Sequence, residues 1–382
     1  MELLTGNECA AMAAKLAKVD CIPNYPITPQ TEIIEALAKW KADGQASYEF
    51  FPMDSEHSVM SAAIGASAAG SRVFTATSSQ GLMLMTEVMY IASGMRLPIV
   101  MANVSRGLSA PITLWADHDD FLSQKSAGWV MIHAQDNQEV LDSLIMAFRV
   151  AEDRRVLLPV MVNFDGYVLS YTKEPVEMLK QKDVSKFVGK YDPRHAFFRK
   201  DKPLVQGGAV LLPGDYTFFR HQHHMASMNA LGVLREVQRE FARKFGRNYG
   251  LVEEYCTEGA NTIIVTQGSI STTAKAAVNA MRKRGKRVGL LRLRVIRPWP
   301  EKEVGEALAN AKHVAMFNKD LAPGRGGIMS PEVKAAMYKA GGKAVVTDFI
   351  AGLGGNPESV GMFEYAVKLA EKDRKGEVFW LD

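Results

Sequence analysis

Two kinds of apolar pattern alternate along the first 165 positions. Short unbroken runs occur at Arg72-Val-Phe-Thr-Ala-Thr, at Leu97-Pro-Ile-Val-Met-Ala-Asn-Val and from Val156 to Phe164. Runs of this length, bounded by turn residues, predict buried strands. Between them, apolar positions recur every three or four residues, which predicts helices. One opens at Gly6-Asn7-Glu8, with Asn7 as its cap, and continues to Lys18. Thr31 to Trp40 is amphipathic, and Val59 to Gly70 is built almost wholly of small residues. A Met-rich helix leads from the turn Ser78-Ser-Gln-Gly81 to about Gly94, and Asp136 caps another that ends near Asp153. Strands alternating with helices predict a doubly wound, mostly parallel sheet.

The pattern weakens after Gly166, is irregular to about Gly208, and returns as a long amphipathic helix from Met225 to Phe245. A second α/β unit begins near Asn261 with a strand at Thr262-Ile-Ile-Val-Thr and a turn at Gln267-Gly-Ser. A strand at Val288 to Val295 is closed by Arg297-Pro-Trp-Pro, and His313 to Phe317 and Ala344 to Phe349 read as further strands. Domains are expected at 1–240, with an irregular basic connector from about 166, and at 255–382.

One segment departs from both patterns. Pro26 and Pro29 restrict themselves and bias Tyr25 and Thr28 toward extended geometry, so Asn24 to Gln30 is a stiff loop between a strand end and a helix start. Open α/β sheets bind ligands at such edges, although a rigid crossover would look the same.

Composition narrows the classes. The chain has 382 residues, 47% of them hydrophobic, and no apolar run near the roughly 18 residues of a membrane span. Met1-Glu-Leu-Leu-Thr lacks the features of a secretory signal, so a cytoplasmic protein is expected. Cys9, Cys21 and Cys256 are too far apart in sequence to suggest a cysteine-ligated cluster. Lys180 to Gly250 holds fourteen Lys or Arg against six Asp or Glu, which fits a solvated connector or an acidic or phosphate-bearing partner. Nucleic acid is not expected, because no zinc-finger, helix-turn-helix or RNA-binding signature accompanies the charge.

Several residues could carry chemistry. Glu56 opens the small-residue helix, where an apolar wall favours a neutral carboxyl and the helix N-terminus an ionised one. Arg106, just past a buried strand, suits bidentate binding of a carboxylate or phosphate, as would an ordinary surface arginine. Asp117-His118-Asp119-Asp120 reads as helix-start charges rather than a metal set, and His221-x-His223-His224 lacks a second ligand cluster. Gln267-Gly-Ser and Pro323-Gly-Arg-Gly-Gly are weak candidates for phosphate-holding turns.

Five blocks in order then converge. Tyr25-Pro-Ile-Thr-Pro-Gln, Asp54-Ser-Glu-His through Gly70, Thr77-Ser-Ser-Gln-Gly, Ser93-Gly-Met-Arg through Val104, and Val156-Leu-Leu-Pro-Val-Met-Val resemble the alpha subunit of the thiamine-diphosphate-dependent pyruvate:ferredoxin oxidoreductase family. The resemblance resumes at Arg297-Pro-Trp-Pro and Ala351-Gly-Leu-Gly-Gly. It implies a pyrimidine-binding domain followed by a transketolase C-terminal-like domain. Glu56 matches the glutamate that hydrogen-bonds the aminopyrimidine ring, and Ser79 and Gln80 fall in a cofactor-binding block. Thr28 and Arg106 match substrate-binding residues, and His118 lies in another such block. The resemblance implies oxidative decarboxylation of pyruvate to acetyl-CoA, with coenzyme A as co-substrate and electrons passed to ferredoxin. Related chains act on 2-oxoisovalerate, 2-oxoglutarate or oxalate, and a non-catalytic scaffold or CoA-binding subunit is the rival class. No Gly-Asp-Gly magnesium motif occurs, since Asp165-Gly166 lacks the preceding glycine. The family pattern therefore implies a beta subunit carrying the diphosphate and magnesium half-site, with iron–sulfur clusters in partner subunits only. Ser105-Arg106-Gly107 and Ala116-Asp117-His118 stand where the family has Asn-Arg-Ala and Asn-Asp-His, which leaves the far end of the substrate open.

Overall fold

The computed structural model describes residues 1–193 and 198–381; positions 194–197 of the expected basic connector and residue 382 of the expected second domain lie outside the described residues. The chain opens with β1 (Glu2–Leu4), α1 (Gly6–Leu16), β2 (Cys21–Asn24), α2 (Thr31–Ala42), β3 (Glu49–Pro52), α3 (Glu56–Ala68), β4 (Phe74–Thr77) and α4 (Ser79–Gly94). It continues through β5 (Val100–Ser105), α5 (Asp119–Ser123), β6 (Val130–His133), α6 (Asn137–Ala151) and β7 (Val160–Asp165). Asp136 caps α6 through the Glu139 amide. The segment expected to be irregular holds α7 (Val168–Tyr171), β8 (Glu174–Val176), which pairs antiparallel with β1, and α8 (Gln181–Val188). The long helix α9 (Asp215–Phe245) begins ten residues before the expected Met225 and ends at the left-handed Gly246. Those ten residues are exposed throughout, except for the half-turn around His223, so burial periodicity cannot reveal them.

The first sheet has the order β12-β6-β7-β5-β4, where β12 (Val295–Arg297) comes from the second half of the chain and pairs antiparallel with β6. The other strands are parallel, and β2 with β3 extends the sheet beyond β4 through a Cys21–Val73 bridge. The second sheet, β15-β14-β13-β10-β11-β9, is parallel except for β9 (Val252–Tyr255). It is formed by β10 (Thr262–Thr266), β11 (Val288–Leu293), β13 (His313–Asn318), β14 (Val345–Ala351) and β15 (Val378–Leu381). Helices α10 (Ile270–Lys283), α11 (Glu301–Leu308), α12 (Ser330–Lys339) and α13 (Val360–Ala370) cover it. The fold is thus α/β with parallel-dominated sheets, as the alternation predicts, but the run Val288 to Val295 is shared between the two sheets.

Strand alternation determines what each face of the first sheet carries. Val100, Ala102 and Val104 point into a core with α1, α6 and α9. Met101, Met131 and Met161, in register on β5, β6 and β7, point the other way into a core that also takes Ile263, Leu291 and Met316 of the second sheet. The next row toward the strand C-termini on that face is polar: Asn103, His133 and Asn163, followed by Ser105 and Asp165. A buried ion triad ties the halves together as well: Glu139 of α6 meets Arg292 at 2.9 Å and also pairs with Arg294. Among the described residues, no helix is long and apolar enough to cross a membrane.

Candidate functional site

The proline loop sits at the C-terminal edge of the first sheet and is tied down from both sides. Asn7 is not the cap of α1. Thr5 is, in a capping box with Glu8. Asn7 is instead fully buried and donates from Nδ2 to the Pro29 carbonyl at 2.8 Å. Gln30, also buried, donates to the carbonyls of Tyr25 at 2.8 Å and Ala76 at 3.2 Å. Pro29 further rests on Gly166, where a Cβ would fall 2.7 Å from the proline ring. With its ends held, the loop leaves Thr28 exposed.

Glu56 is the first residue of α3 after the cap Ser55, and it is 7% exposed. No hydrogen-bond donor of the described chain reaches its carboxylate. The side chain lies against Gly81 in the first turn of α4, where a Cβ would fall 2.6 Å from Glu56 Oε1 and 2.5 Å from Thr77 Oγ1. Thr77 Oγ1 is itself buried without a partner. A carboxylate without a hydrogen-bond partner and a buried, unpartnered hydroxyl therefore flank one bare backbone position.

Arg106 follows β5 and is 6% exposed. Its Nη1 donates to the Thr28 carbonyl at 2.6 Å and its Nη2 to Gln80 Oε1 at 2.7 Å, while Nε is buried and unpartnered. Burial lowers its pKa, opposed by the charges of Asp120 and Glu56. Ser79 Oγ donates to Gln80 Oε1 at 2.7 Å and to the Gly107 carbonyl at 2.9 Å. Thr28, Ser79, Gln80 and Arg106 therefore form one connected group, with Glu56 one helix packing distance away. Trp115 and Tyr167 pack against each other nearby, with ring centroids 4.2 Å apart and the planes tilted by 47°, both partly exposed.

His118 does not join that group. It has no exposed surface, and its Nε2 lies 2.9 Å from Asp165 Oδ1 while Nδ1 faces Gln267 at 3.4 Å. It lies at a contact between the chain's two halves, where the residues after it dock on 319–321: His118 N donates to the Lys319 carbonyl at 2.7 Å and Leu321 N to Asp119 at 2.7 Å. Burial works against a charged His118, but the Asp165 carboxylate outweighs it and raises the pKa. Asp165, although buried, is held well below the usual carboxylate range by His118 and His133. Burial and the His118 charge push His133 down to about 4. His118, His133 and Asp165 are also a group whose ligand atoms could converge on a metal ion, yet Asp165 is already engaged by both rings and by the Ser269 amide and hydroxyl. The Gln267-Gly-Ser turn thus holds a carboxylate of its own chain rather than a phosphate.

The residues fit the pyrimidine end of a thiamine ring. The observation is the unpartnered Glu56 carboxylate, buried at the sheet edge beside the bare Gly81 and the orphaned Thr77 hydroxyl. The sequence named Asn7 as a helix cap, Asp120 as a helix-start charge and Thr77 and Gly81 within a resembling block, but gave none of the four a place in the site. Only Gly81 carried a signal, as a helix-disfavouring residue in the first turn of a helix.

The sequence matches the family described as "Pyruvate flavodoxin/ferredoxin oxidoreductase, thiamine diP-bdg" over residues 12–239 and that described as "Pyruvate:ferredoxin oxidoreductase core domain II" over residues 260–361. It is 44% identical over 384 residues to pyruvate synthase subunit PorA of Methanocaldococcus jannaschii, covering 100% of this chain and 97% of the relative. It is 41% identical over 360 residues to ketoisovalerate oxidoreductase subunit VorA of Pyrococcus horikoshii, covering 94% and 91%. A solved structure of 2-oxoglutarate:ferredoxin oxidoreductase from Magnetococcus marinus, with 2-oxoglutarate, coenzyme A and succinyl-CoA bound, superposes with a TM-score of 0.75 at 18% identity. That match covers 97% of this chain but 65% of the neighbour, so this chain spans less than two thirds of it.

Proposed function

The chain belongs to the pyruvate:ferredoxin oxidoreductase family, and from that premise we propose that it is the alpha-type subunit of a multisubunit enzyme that oxidatively decarboxylates pyruvate to acetyl-CoA. The single observation that carries the reading is Glu56, a buried carboxylate with no partner in its own chain, placed where a cofactor ring can supply one.

Thiamine diphosphate, when bound, supplies the nucleophilic carbon and the electron sink of the decarboxylation. Glu56 accepts a hydrogen bond from, or shares a proton with, the aminopyrimidine nitrogen, and the surrounding wall keeps water from competing. Gly81 lets the carboxylate and the ring approach the backbone. Thr77, at the same position, offers a second unpaired hydroxyl. Arg106 orients the carboxylate of the 2-oxoacid: its Nε is free, and the Gln80 and Thr28 contacts hold the guanidinium plane. Thr28 presents its hydroxyl from a loop that Asn7 and Gln30 hold rigid, so little ordering remains to be done on binding.

We assign the diphosphate and Mg2+ to a beta subunit, because no Gly-Asp-Gly occurs in this chain, and the iron–sulfur clusters and the ferredoxin contact to partner subunits. Coenzyme A is the acyl acceptor, and the reaction belongs to the cytoplasm. The 44% identity to PorA of Methanocaldococcus jannaschii, against 41% to VorA of Pyrococcus horikoshii, favours pyruvate over 2-oxoisovalerate. Replacing Glu56 with Ala in the chain with its co-purified partners should lower pyruvate-dependent ferredoxin reduction by several orders of magnitude while the chain stays folded. Unchanged turnover would favour a scaffold role. Assays with pyruvate, 2-oxoisovalerate, 2-oxoglutarate and oxalate identify the substrate, and no reduction with any of them would remove the enzymatic assignment.

A further inference from the structure

Beneath Arg106 lies a carboxylate that the reaction as described does not use. Asp120, at the start of α5, has no exposed surface. Five donors from three directions converge on it: Ser79 N at 2.9 Å from the start of α4, Ser105 Oγ at 2.6 Å and Arg106 N at 3.3 Å from the end of β5, Asn103 Nδ2 at 3.2 Å from within β5, and Phe121 N at 2.7 Å from its own helix. A side chain meant only to start α5 needs one or two of these.

Two of the donors are the backbone amides of site residues. Ser79 has φ +48°, a left-handed conformation unfavourable for a residue with a Cβ, and such conformations persist where the surroundings hold them. Asp120 supplies that hold. Ser79 in turn donates to Gln80 Oε1, and the same oxygen receives Arg106 Nη2. Asp120 thus fixes the backbone at both ends of the Gln80–Arg106 contact.

The carboxylate also starts a chain of buried hydrogen bonds. Because Asn103 Nδ2 faces Asp120, its amide orientation is set; the same nitrogen donates to Asn163 Oδ1 at 2.7 Å. Asn163 Nδ2 in turn lies 2.9 Å from His133 Nε2, and this nitrogen lies 3.1 Å from Asp165 Oδ1. Asp165 meets His118 and, across the junction, Ser269. The polar row Asn103–Asn163–His133 is the strand register made visible. It connects the group around Arg106 to the second half of the molecule.

We infer that Asp120 is a positioning residue for the substrate carboxylate: it holds Ser79 and Arg106 so that Gln80 and Thr28 aim the Arg106 guanidinium, and it ties that aim to the junction with the second sheet. The inference rests on Arg106 receiving the substrate carboxylate. The test uses Asp120→Asn, Asp120→Glu and Arg106→Ala in the chain with its co-purified partners, together with the Arg106 Nε–H resonance of the chain alone. Asp120→Asn preserves shape and should raise KM for the 2-oxoacid about tenfold or more, as expected when a charged hydrogen bond is misplaced. The change in kcat should be smaller, the KM for coenzyme A should stay unchanged, and Asp120→Glu should recover part of the loss. The Arg106 resonance should move or double. An unchanged KM with an unchanged resonance overturns the inference, as does a loss confined to the folded fraction with wild-type kinetics in what remains. If Arg106→Ala leaves KM unchanged, the carboxylate-binding role of Arg106 fails instead, and the resonance alone decides whether Asp120 positions it.

Discussion

At the scale of single residues, what a side chain lacks is as informative as what it touches. Glu56 has no donor in its chain, and Gly81 lacks the Cβ that would occupy the space beside it. Gly81→Ala places a methyl 2.6 Å from Glu56 Oε1 and so displaces the carboxylate proposed to meet the ring nitrogen. The expected outcome is at least a tenfold loss of turnover and weaker retention of thiamine diphosphate by the purified complex, with a helix propensity gain of roughly 1 kcal/mol that keeps the variant folded. Normal cofactor retention and turnover would show that Glu56 does not work against Gly81. Thr28, Glu56 and Arg106 stood out as candidates because their flanking residues are unusual: prolines, a run of small residues and a strand end. His118 lies buried at the junction of the two halves, which the sequence does not reveal, since a histidine between aspartates looks the same in a string whether it faces a cleft or a core.

At the scale of elements, capping and burial divide the work differently from the sequence reading. α1 has a complete capping box at Thr5 and Glu8, which frees Asn7 to reach 22 residues along the chain to Pro29. Asn7→Ala removes a buried donor from the Pro29 carbonyl and should cost about 1–3 kcal/mol in denaturant unfolding. If the loop matters, KM for the 2-oxoacid also rises; a stability loss without a kinetic change would make Asn7 purely structural. Several of the elements missed from sequence share a cause. β1, β8, β9 and β15 are short edge strands with mixed exposure, and the first ten residues of α9 are almost wholly exposed, so neither shows the periodicity that burial imposes.

At the scale of the whole molecule, charges buried between the two halves do much of the joining. Glu139 is held below the usual carboxylate range by Arg292 and Arg294 despite full burial. Glu139→Gln leaves the buried Arg294 without its counter-charge and Arg292 with Glu253 alone, and should destabilise by about 3–5 kcal/mol, read as a lower urea midpoint. A loss below about 1 kcal/mol would mean that water or Glu253 compensates. The junction also predicts a pH response. His133 is depressed to about 4 from an unfolded value of about 6.5, so the unfolded chain binds its proton first. Its contribution is fully present above about 6.5 and is lost as pH falls toward 4. Asp119 and Asp320, raised by burial to about 6, act in the opposite sense over part of that window, so the comparison must be differential. The stability difference between the wild type and His133→Gln should shrink from pH 7 to pH 4.5, and a constant difference would remove His133 from the pH response.

By itself the sequence determined the α/β class, most of the strand and helix series of the first 165 residues and the family, and it nominated Thr28, Glu56 and Arg106 as candidates for the half-site. Those follow from local rules: run length, periodicity, proline geometry and motif. Only the tertiary structure decided that Asn7 grips the proline loop, that Gly81 clears space for Glu56, that five donors meet on Asp120 and that Val295–Arg297 belongs to the first sheet. Each is a contact between distant positions, set by strand register and core packing, and neither leaves a period in the chain that forms it.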